Sequence, residues 1–424
     1  MLLKRILFTT AICISVGCLF SQEKLLSSTE SYLDFLALEG YVERPYLSYR
    51  TLSDSKWKTS YSGLWKQNTE LANSQKPAVF RIYGPELYTS YNSAAPYGQN
   101  DGLLWQGKGL NSYLSAGLRF ENKGFEISFK PEIVFSENKA FPFVTPAYSG
   151  GAYVGKADTY GYYGVSSIDA PQRFGNKTFV NYGWGDSEIR YSIKSFTLGF
   201  GSQYLWLGPA KINPILHSNN AASYPKIDLG LRRTKIHLWK WYAGDIEARL
   251  WAGKLRESNY FDSNDANNNI LLTGLTLGYA PSFVKGLNLT VNRIFLSPWE
   301  PASLNSIVDL LYIPSKKVSG ARDIWDQRVS FSFDYSLPLV GFETYLEIGV
   351  NDYCPIFDGY IRYPFHSMVY TAGIRKSVSI DVFSTPLRGE FLLEISNLEM
   401  SQDFQSQWPS TFYAHHQITQ GYTN

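Results

Sequence analysis

Residues 97–109 read YGQNDGLLWQGKG. Asn100, Asp101 and Trp105 stand among four glycines within thirteen positions. Three kinds of chemistry use such a stretch. A Gly-rich loop can cradle phosphate, but the GKGL run lacks the Walker spacing and no dinucleotide fingerprint opens a helix here. A sugar can lay its apolar face on an aromatic ring while amide and carboxylate side chains pair with its hydroxyls. The third reading is structural. Gly102, Gly107 and Gly109 let the backbone turn sharply. Asn100 and Asp101 can bond neighbouring backbone groups in a turn. Trp105 then fills space under a helical region. The structural reading leads, and a sugar contact through Asn100, Asp101 and Trp105 is the functional alternative.

Other residues of catalytic type lack catalytic surroundings. His217-Ser218-Asn219-Asn220 has no G-x-S-x-G elbow around it and reads as a loop. His415 and His416 are adjacent, so in a strand they point to opposite faces and cannot share a metal. No HExxH motif and no paired cysteine ligands occur. Glu126, Glu132, Glu343 and Glu347 match a glycosidase acid pair only by type. Opposite charges such as Lys130 and Arg249, stabilising a filled interior, explain them better. NYFDSNDANNN (259–269) offers oxygen ligands without the calcium-loop order and reads as a solvated loop. No catalytic residue, metal ligand or cofactor is therefore assigned, and the expectation is a protein that is not an enzyme.

Which elements would position these residues? The start, MLLKRILFTTAICISVGCLFSQEK, has a basic beginning, an apolar stretch from Ile6 to Phe20 and a small residue at Ser21. This is the pattern of a secretory signal peptide over 1–21, cleaved near Ser21. A lipoprotein reading at Cys18 is weaker, because Leu19-Phe20 is a poor lipoprotein start. Cys13 and Cys18 would leave with the signal. Cys354 then stands alone and no intramolecular disulfide framework is expected. No later run reaches eighteen apolar residues, which excludes a helical membrane span. A net charge of +2 gives no reason to expect a nucleic-acid partner. Residues 22–78 read as a small helical bundle. Ser27 and Glu30 have capping-box spacing, Leu33, Leu36 and Ala37 mark an apolar face, and Gly40 supplies the stop. Trp57, Leu64, Trp65 and Leu71 suggest one side of a helix pair.

From about residue 110 the period becomes two. GFEISFKPEIVFS sets Phe125, Ile127, Phe129, Ile133 and Phe135 against Glu126, Ser128, Lys130 and Glu132. RVSFSFDYS and GFETYLEIGV alternate in the same way. Further segments run from 112–120 to 411–420, roughly thirteen in all, many about ten residues long. Alternation alone fits a soluble antiparallel sandwich or a membrane barrel. Strand length, short turns alternating with long loops, and Tyr and Trp near strand ends (Tyr204, Trp206, Trp239, Trp241, Tyr279) favour the barrel.

Several stretches resemble the capsule-assembly Wzi family: ERPYLSYRTLSDSKW, YNSAAPYGQNDGLLWQGKGLNSYLSAG, KPEIVFSEN, WLGPAKINPILHSNNA, GEFLLEISNLE and FYAHHQITQGYTN. Their order along the chain makes the match. The resemblance implies an all-β outer-membrane antiparallel β-barrel, eighteen-stranded in the family, with a periplasmic N-terminal helical bundle. It implies an obstructed barrel with a lectin-like role, binding capsular or related surface polysaccharide. In the family a motif like HQITQGYTN is followed by further strands, so the barrel over 79–424 is expected to lack C-terminal strands. Loops 140–185, 254–269, 297–326 and 351–366 are the expected binding surfaces, with Trp184, Tyr260, Trp299 and Tyr360 as polysaccharide contacts by type and position. The expected partners are surface polysaccharide and outer-membrane lipid. A channel for polar solutes or saccharides is the rival function.

Overall fold

The computed structural model describes residues 28–55, 57–59, 78–143, 169, 171–260, 265–311, 325–351, 368–382, 385–398, 412–413 and 418. The first element is helix α1 (Ser28–Leu38). Leu33, Leu36 and Ala37 bury its apolar face against Val42, Tyr46 and Trp57. The stop is a Schellman motif: Tyr41 N–H donates to the Leu36 carbonyl and Gly40 N–H to Ala37. Gly40 takes the left-handed conformation this requires, at φ +79°. Strands β1 (Val42–Glu43) and β2 (Lys58–Thr59) pair beside it. The Ser27 cap and the helix pair carrying Leu64, Trp65 and Leu71 lie outside the described residues.

The rest is one antiparallel sheet of fifteen strands. In chain order these are β3 (Ala78–Asn92), β4 (Gly109–Asn122), β5 (Phe125–Phe129), β6 (Glu132–Ser136), β7 (Phe179–Gly183), β8 (Glu188–Ile193), β9 (Phe196–Gly201) and β10 (Lys226–Leu238). There follow β11 (Trp241–Arg256), β12 (Asn269–Pro281), β13 (Leu287–Pro298), β14 (Asp326–Leu337), β15 (Phe342–Asn351), β16 (Met368–Val382) and β17 (Thr385–Asn397). β4 pairs with both β5 and β6, while β8 pairs with β5 and β7 with β6. Each couple is thus one interrupted span, and the fifteen strands make thirteen spans. The strand near 112–120 is not the first. β3 precedes it and pairs with it from Ala78↔Asn122 to Asn92↔Gly109. Gly84-Pro85 breaks the alternation of β3, and the register shifts between Tyr83 and Glu86, which hides this strand from a period-two reading. β3 and β17 each lack a second partner among the described residues, and the sheet does not close there. The expected strand at 411–420 falls almost wholly outside them.

Short turns at 123–124, 194–195, 239–240, 282–286 and 338–341 lie at one end of the sheet. Helix α1 sits at this end, where Arg388 reaches Glu39 at 2.8 Å. The longer connections leave the strands at the other end. The polarity of the sheet is inverted relative to a soluble protein. Phe331 and Phe333 are 50% and 40% exposed, whereas Ser332 and Asp334 between and beside them are buried. Phe125, Ile127, Phe129, Ile133 and Phe135 are exposed; Glu126, Ser128, Lys130 and Glu132 are buried. Apolar side chains outward and charged ones inward suit a barrel standing in hydrocarbon.

This register generates a mutational expectation. Phe331→Arg puts a charge on the lipid face and should cost about 2–4 kcal/mol, whereas Phe331→Ile should be nearly neutral. Urea unfolding of vesicle-inserted protein measures both. Equal stability of the two variants would show that this face does not meet lipid.

Candidate functional site

Two non-strand segments run over the inward face of the sheet. Residues 44–55 form one, and residues 202–225, between β9 and β10, form the other. Irregular backbone in a barrel interior needs acceptors for its N–H groups. Inward carboxylates supply them. Glu247 on β11 accepts from the amides of Leu47 (3.2 Å), Ser48 (2.7 Å) and Tyr49 (3.0 Å). Glu394 on β17 accepts from Lys211 (2.7 Å), Ile212 (3.2 Å) and Asn213 (2.7 Å). Glu347 on β15 accepts from Ile215 at 3.3 Å. Consecutive N–H groups converging on one carboxylate form an anion nest. The two segments also hold each other, since Arg50 and Trp206 exchange both backbone hydrogen bonds (3.0 and 2.9 Å).

Ion pairs fill the interior nearer α1. Asp34 meets Arg44 at 2.7 Å, Arg375 at 2.9 Å and Lys211 at 3.0 Å. Burial alone would raise the Asp34 carboxyl, but these three cations hold it well below the usual carboxylate range. Arg249 pairs with Asp54 and with Asp228 (3.1 Å), and Lys130 with Glu86 (2.9 Å). The carboxylates that match a glycosidase pair by type have structural partners. Glu126 meets Arg119 at 2.6 Å, Glu343 meets Arg44 and Arg375 at 2.6 Å, and Glu132 accepts from the Tyr204 hydroxyl at 2.7 Å.

The YGQNDGLLWQGKG stretch joins β3 to β4, so it lies at the end opposite α1. Trp105 therefore does not sit under the helical region. Its ring packs edge-on against Phe174 at 4.9 Å, and its Nε1–H donates to Asn138 at 3.1 Å. Asp101 accepts from Gln106 at 2.7 Å within the loop. The loop fastens onto the 202–225 segment. Asn100 Nδ2 donates to the Ile212 carbonyl (2.8 Å), Gly102 N–H to the Asn219 carbonyl (2.8 Å), and Leu103 N–H to the Tyr204 hydroxyl (3.1 Å). Gly102 is at φ +63°, and a Cβ there would collide with the Tyr204 hydroxyl.

Between these loops opens a cavity of about 410 Å³. Asn100, Asn213, Ser218, Asn220 and Tyr224 are among its walls, with His217 deeper. Its size is within the usual range for small-ligand sites, about 300–1,000 Å³. His217 bonds the Tyr224 hydroxyl at 2.6 Å and packs edge-on near Trp251. Burial, reinforced by the nearby Lys226 cation, lowers His217 to about 3, so it is neutral at pH 7.

The expected aromatic contacts are placed elsewhere. Trp184 is 68% exposed beside Phe129 on the outer wall. Trp299 is half exposed, with the Lys254 ammonium 4.9 Å from its ring. Tyr260 packs against Phe174 at 5.8 Å, joining the Trp105 cluster. None of the three lines the cavity, and Tyr360 is outside the described residues. Residue type and position in the sequence selected them, and neither reports which way a loop folds. The usable signal for the cavity was the non-alternating run WLGPAKINPILHSNNA, broken by two prolines and ending in HSNN.

Strands apolar outside and charged inside, around an interior filled by docked chain, define an outer-membrane β-barrel. The family model described as capsule assembly protein Wzi matches residues 86–424, and the chain belongs to that family. It is similar in structure to Wzi of Escherichia coli, an outer-membrane protein involved in group 1 capsule assembly and described as a carbohydrate-binding β-barrel. The TM-score is 0.52 at 13% identity, over 93% of this chain and 75% of that one. OccK10 of Pseudomonas aeruginosa matches with a TM-score of 0.28 at 11% identity, over 76% of this chain and 93% of that one. No curated protein matches the sequence.

His217 gives the site a pH signature. Its folded value, about 3, lies below the ordinary 6.5. Below pH 6.5 the unfolded chain takes up a proton that the folded chain refuses, so this contribution to stability declines from pH 6.5 down to about 3. At roughly 1.4 kcal/mol per unit, the loss should reach about 2 kcal/mol by pH 5. Asp34, held below its ordinary 3.8, adds a loss only at lower pH. Between pH 6.5 and 5 the resistance of the wild type to SDS unfolding, measured relative to His217→Gln, should therefore fall. Wild type and His217→Gln with the same pH dependence from 7 to 5 would contradict the assignment.

Proposed function

We propose that this barrel binds long surface polysaccharide at its outer mouth and retains it for capsule assembly or attachment, without cleaving it. The observation that carries this reading is the cavity between the 97–109 and 202–225 segments, at the end opposite α1. Its amide and hydroxyl groups suit sugar hydroxyls, and Tyr224 offers a ring face. The filled interior supports a binding surface over an open conduit. Many weak contacts along one polymer give retention by avidity, so no single tight sugar site is needed. The carbohydrate binding described for Escherichia coli Wzi agrees with this.

In this reading Asn213, Ser218, Asn220 and Tyr224 touch glycan, Asn100 both holds the cavity wall and faces it, and Asp101 and Trp105 brace the loop. Residues 1–21 direct export and are removed near Ser21. The outer wall meets membrane lipid, and catalysis plays no part.

The test pairs a binding assay with a cell assay. Purified full-length protein should retain capsular polysaccharide from its own host in vesicles. Asn213→Ala with Asn220→Ala should weaken retention about tenfold, as loss of roughly one net hydrogen bond's free energy predicts, with SDS resistance preserved. A strain lacking the protein should still make the polysaccharide but shed it. Undiminished binding by the variant would remove the cavity from the account. A deletion strain that keeps its capsule would overturn the function itself.

A further inference from the structure

The first part of the connection after β13, residues 301–311, folds back against the barrel. A 3-10 turn (Pro301–Leu304) runs directly into helix α2 (Asn305–Asp309). This segment packs against the outer wall. Side chains at odd positions of β12 and β13 point outward, because the even ones meet the interior: Asn292 contacts Ser48, and Asn288 the Leu47 carbonyl. Thr273 and Ser297 are therefore on the outward register, yet both are fully buried. Thr273 Oγ1 lies 3.2 Å from Ser306 Oγ on α2. Arg293, also outward, donates to the Asp309 carbonyl (3.1 Å) and the Leu310 carbonyl (3.2 Å), neutralising the exposed carbonyls at the end of α2. Its other amino group donates to Gln327 on β14 at 3.1 Å.

Thr273, Arg293, Ser297 and Gln327 thus form a polar patch on the wall that otherwise carries the apolar band. A cation or hydroxyl facing hydrocarbon there would be costly. The segment turns Ser303, Ser306 and Leu310 onto this patch. Its opposite side presents Leu304, Val308 and Leu311, which are 56%, 66% and 69% exposed. That spacing of four and three is one helical face. We infer that residues 301–311 form a lipid-embedded collar, which covers a polar patch of the barrel and continues the apolar band into the outer leaflet. The occupant of this face is acyl chain. Continuity with the lipid-facing strands supports it, since Phe331, on adjacent β14, is exposed on the same side.

Site-directed spin labelling tests this on the full chain in phospholipid vesicles, with the native cysteines replaced by serine. Labels at Leu304→Cys, Val308→Cys and Leu311→Cys should be reached by oxygen and shielded from a water-soluble nickel complex, matching a label at Phe331→Cys. A label at Glu300→Cys serves as the water-exposed reference. Collar labels with the nickel accessibility of position 300 would overturn the inference. Spin–spin broadening between labelled chains at 308 would also overturn it, by showing that a second copy covers the face. Should the labels disturb folding, Val308→Lys gives an independent readout. It should lower the yield of SDS-resistant barrel in vesicles about threefold, and an unchanged yield would count against the collar.

Discussion

The structure depends on carboxylates of the barrel wall binding backbone amides of the chain inside it. Glu247 and Glu394 each gather three consecutive N–H groups. Each side solves the other's problem. A buried carboxylate without donors is strongly unfavourable, and irregular backbone without acceptors is too. Together they let a sheet with a charged inner face enclose chain in place of water. The ion pairs around Asp34, Asp54 and Asp228 balance the remaining cations in the same space.

The docked segments determine what the mouth can be. Residues 202–225 are pinned from below by Glu394 and Glu347, and from above the 97–109 loop grips them through Asn100, Gly102 and Leu103. The cavity between them has walls fixed at both ends, the kind of rigid support a binding surface needs. Polar chemistry is thereby concentrated at the outer end. The outer wall keeps its apolar character even where β12 and β13 carry polar residues, because residues 301–311 lie over them.

Strand positions were legible where alternation was clean. GFEISFKPEIVFS and RVSFSFDYS show their inward and outward residues directly, and eleven of the thirteen spans fall on segments read from the pattern. β3 was not legible, because Gly84-Pro85 interrupts its period. That omission misplaced the YGQNDGLLWQGKG loop, which sits one strand later and at the other end. The interior path of 202–225 has no periodic signature, since it is held by partners distant in sequence, as with Ile215 and Glu347 or Ile212 and Asn100. Trp184, Tyr260 and Trp299 show the complementary weakness. An aromatic in a loop can face lipid, pack on a neighbour or lie under a lysine, and its type does not say which.

Ion conductance across a planar bilayer separates a docked filling from a water path. The full-length protein should insert without a large, stable conductance, and Glu247→Ala with Glu394→Ala should produce frequent openings as the interior segments lose their anchors. A wild-type protein that conducts steadily, and is unaffected by removing both carboxylates, would contradict this: the interior would then be a water path and not a docked filling.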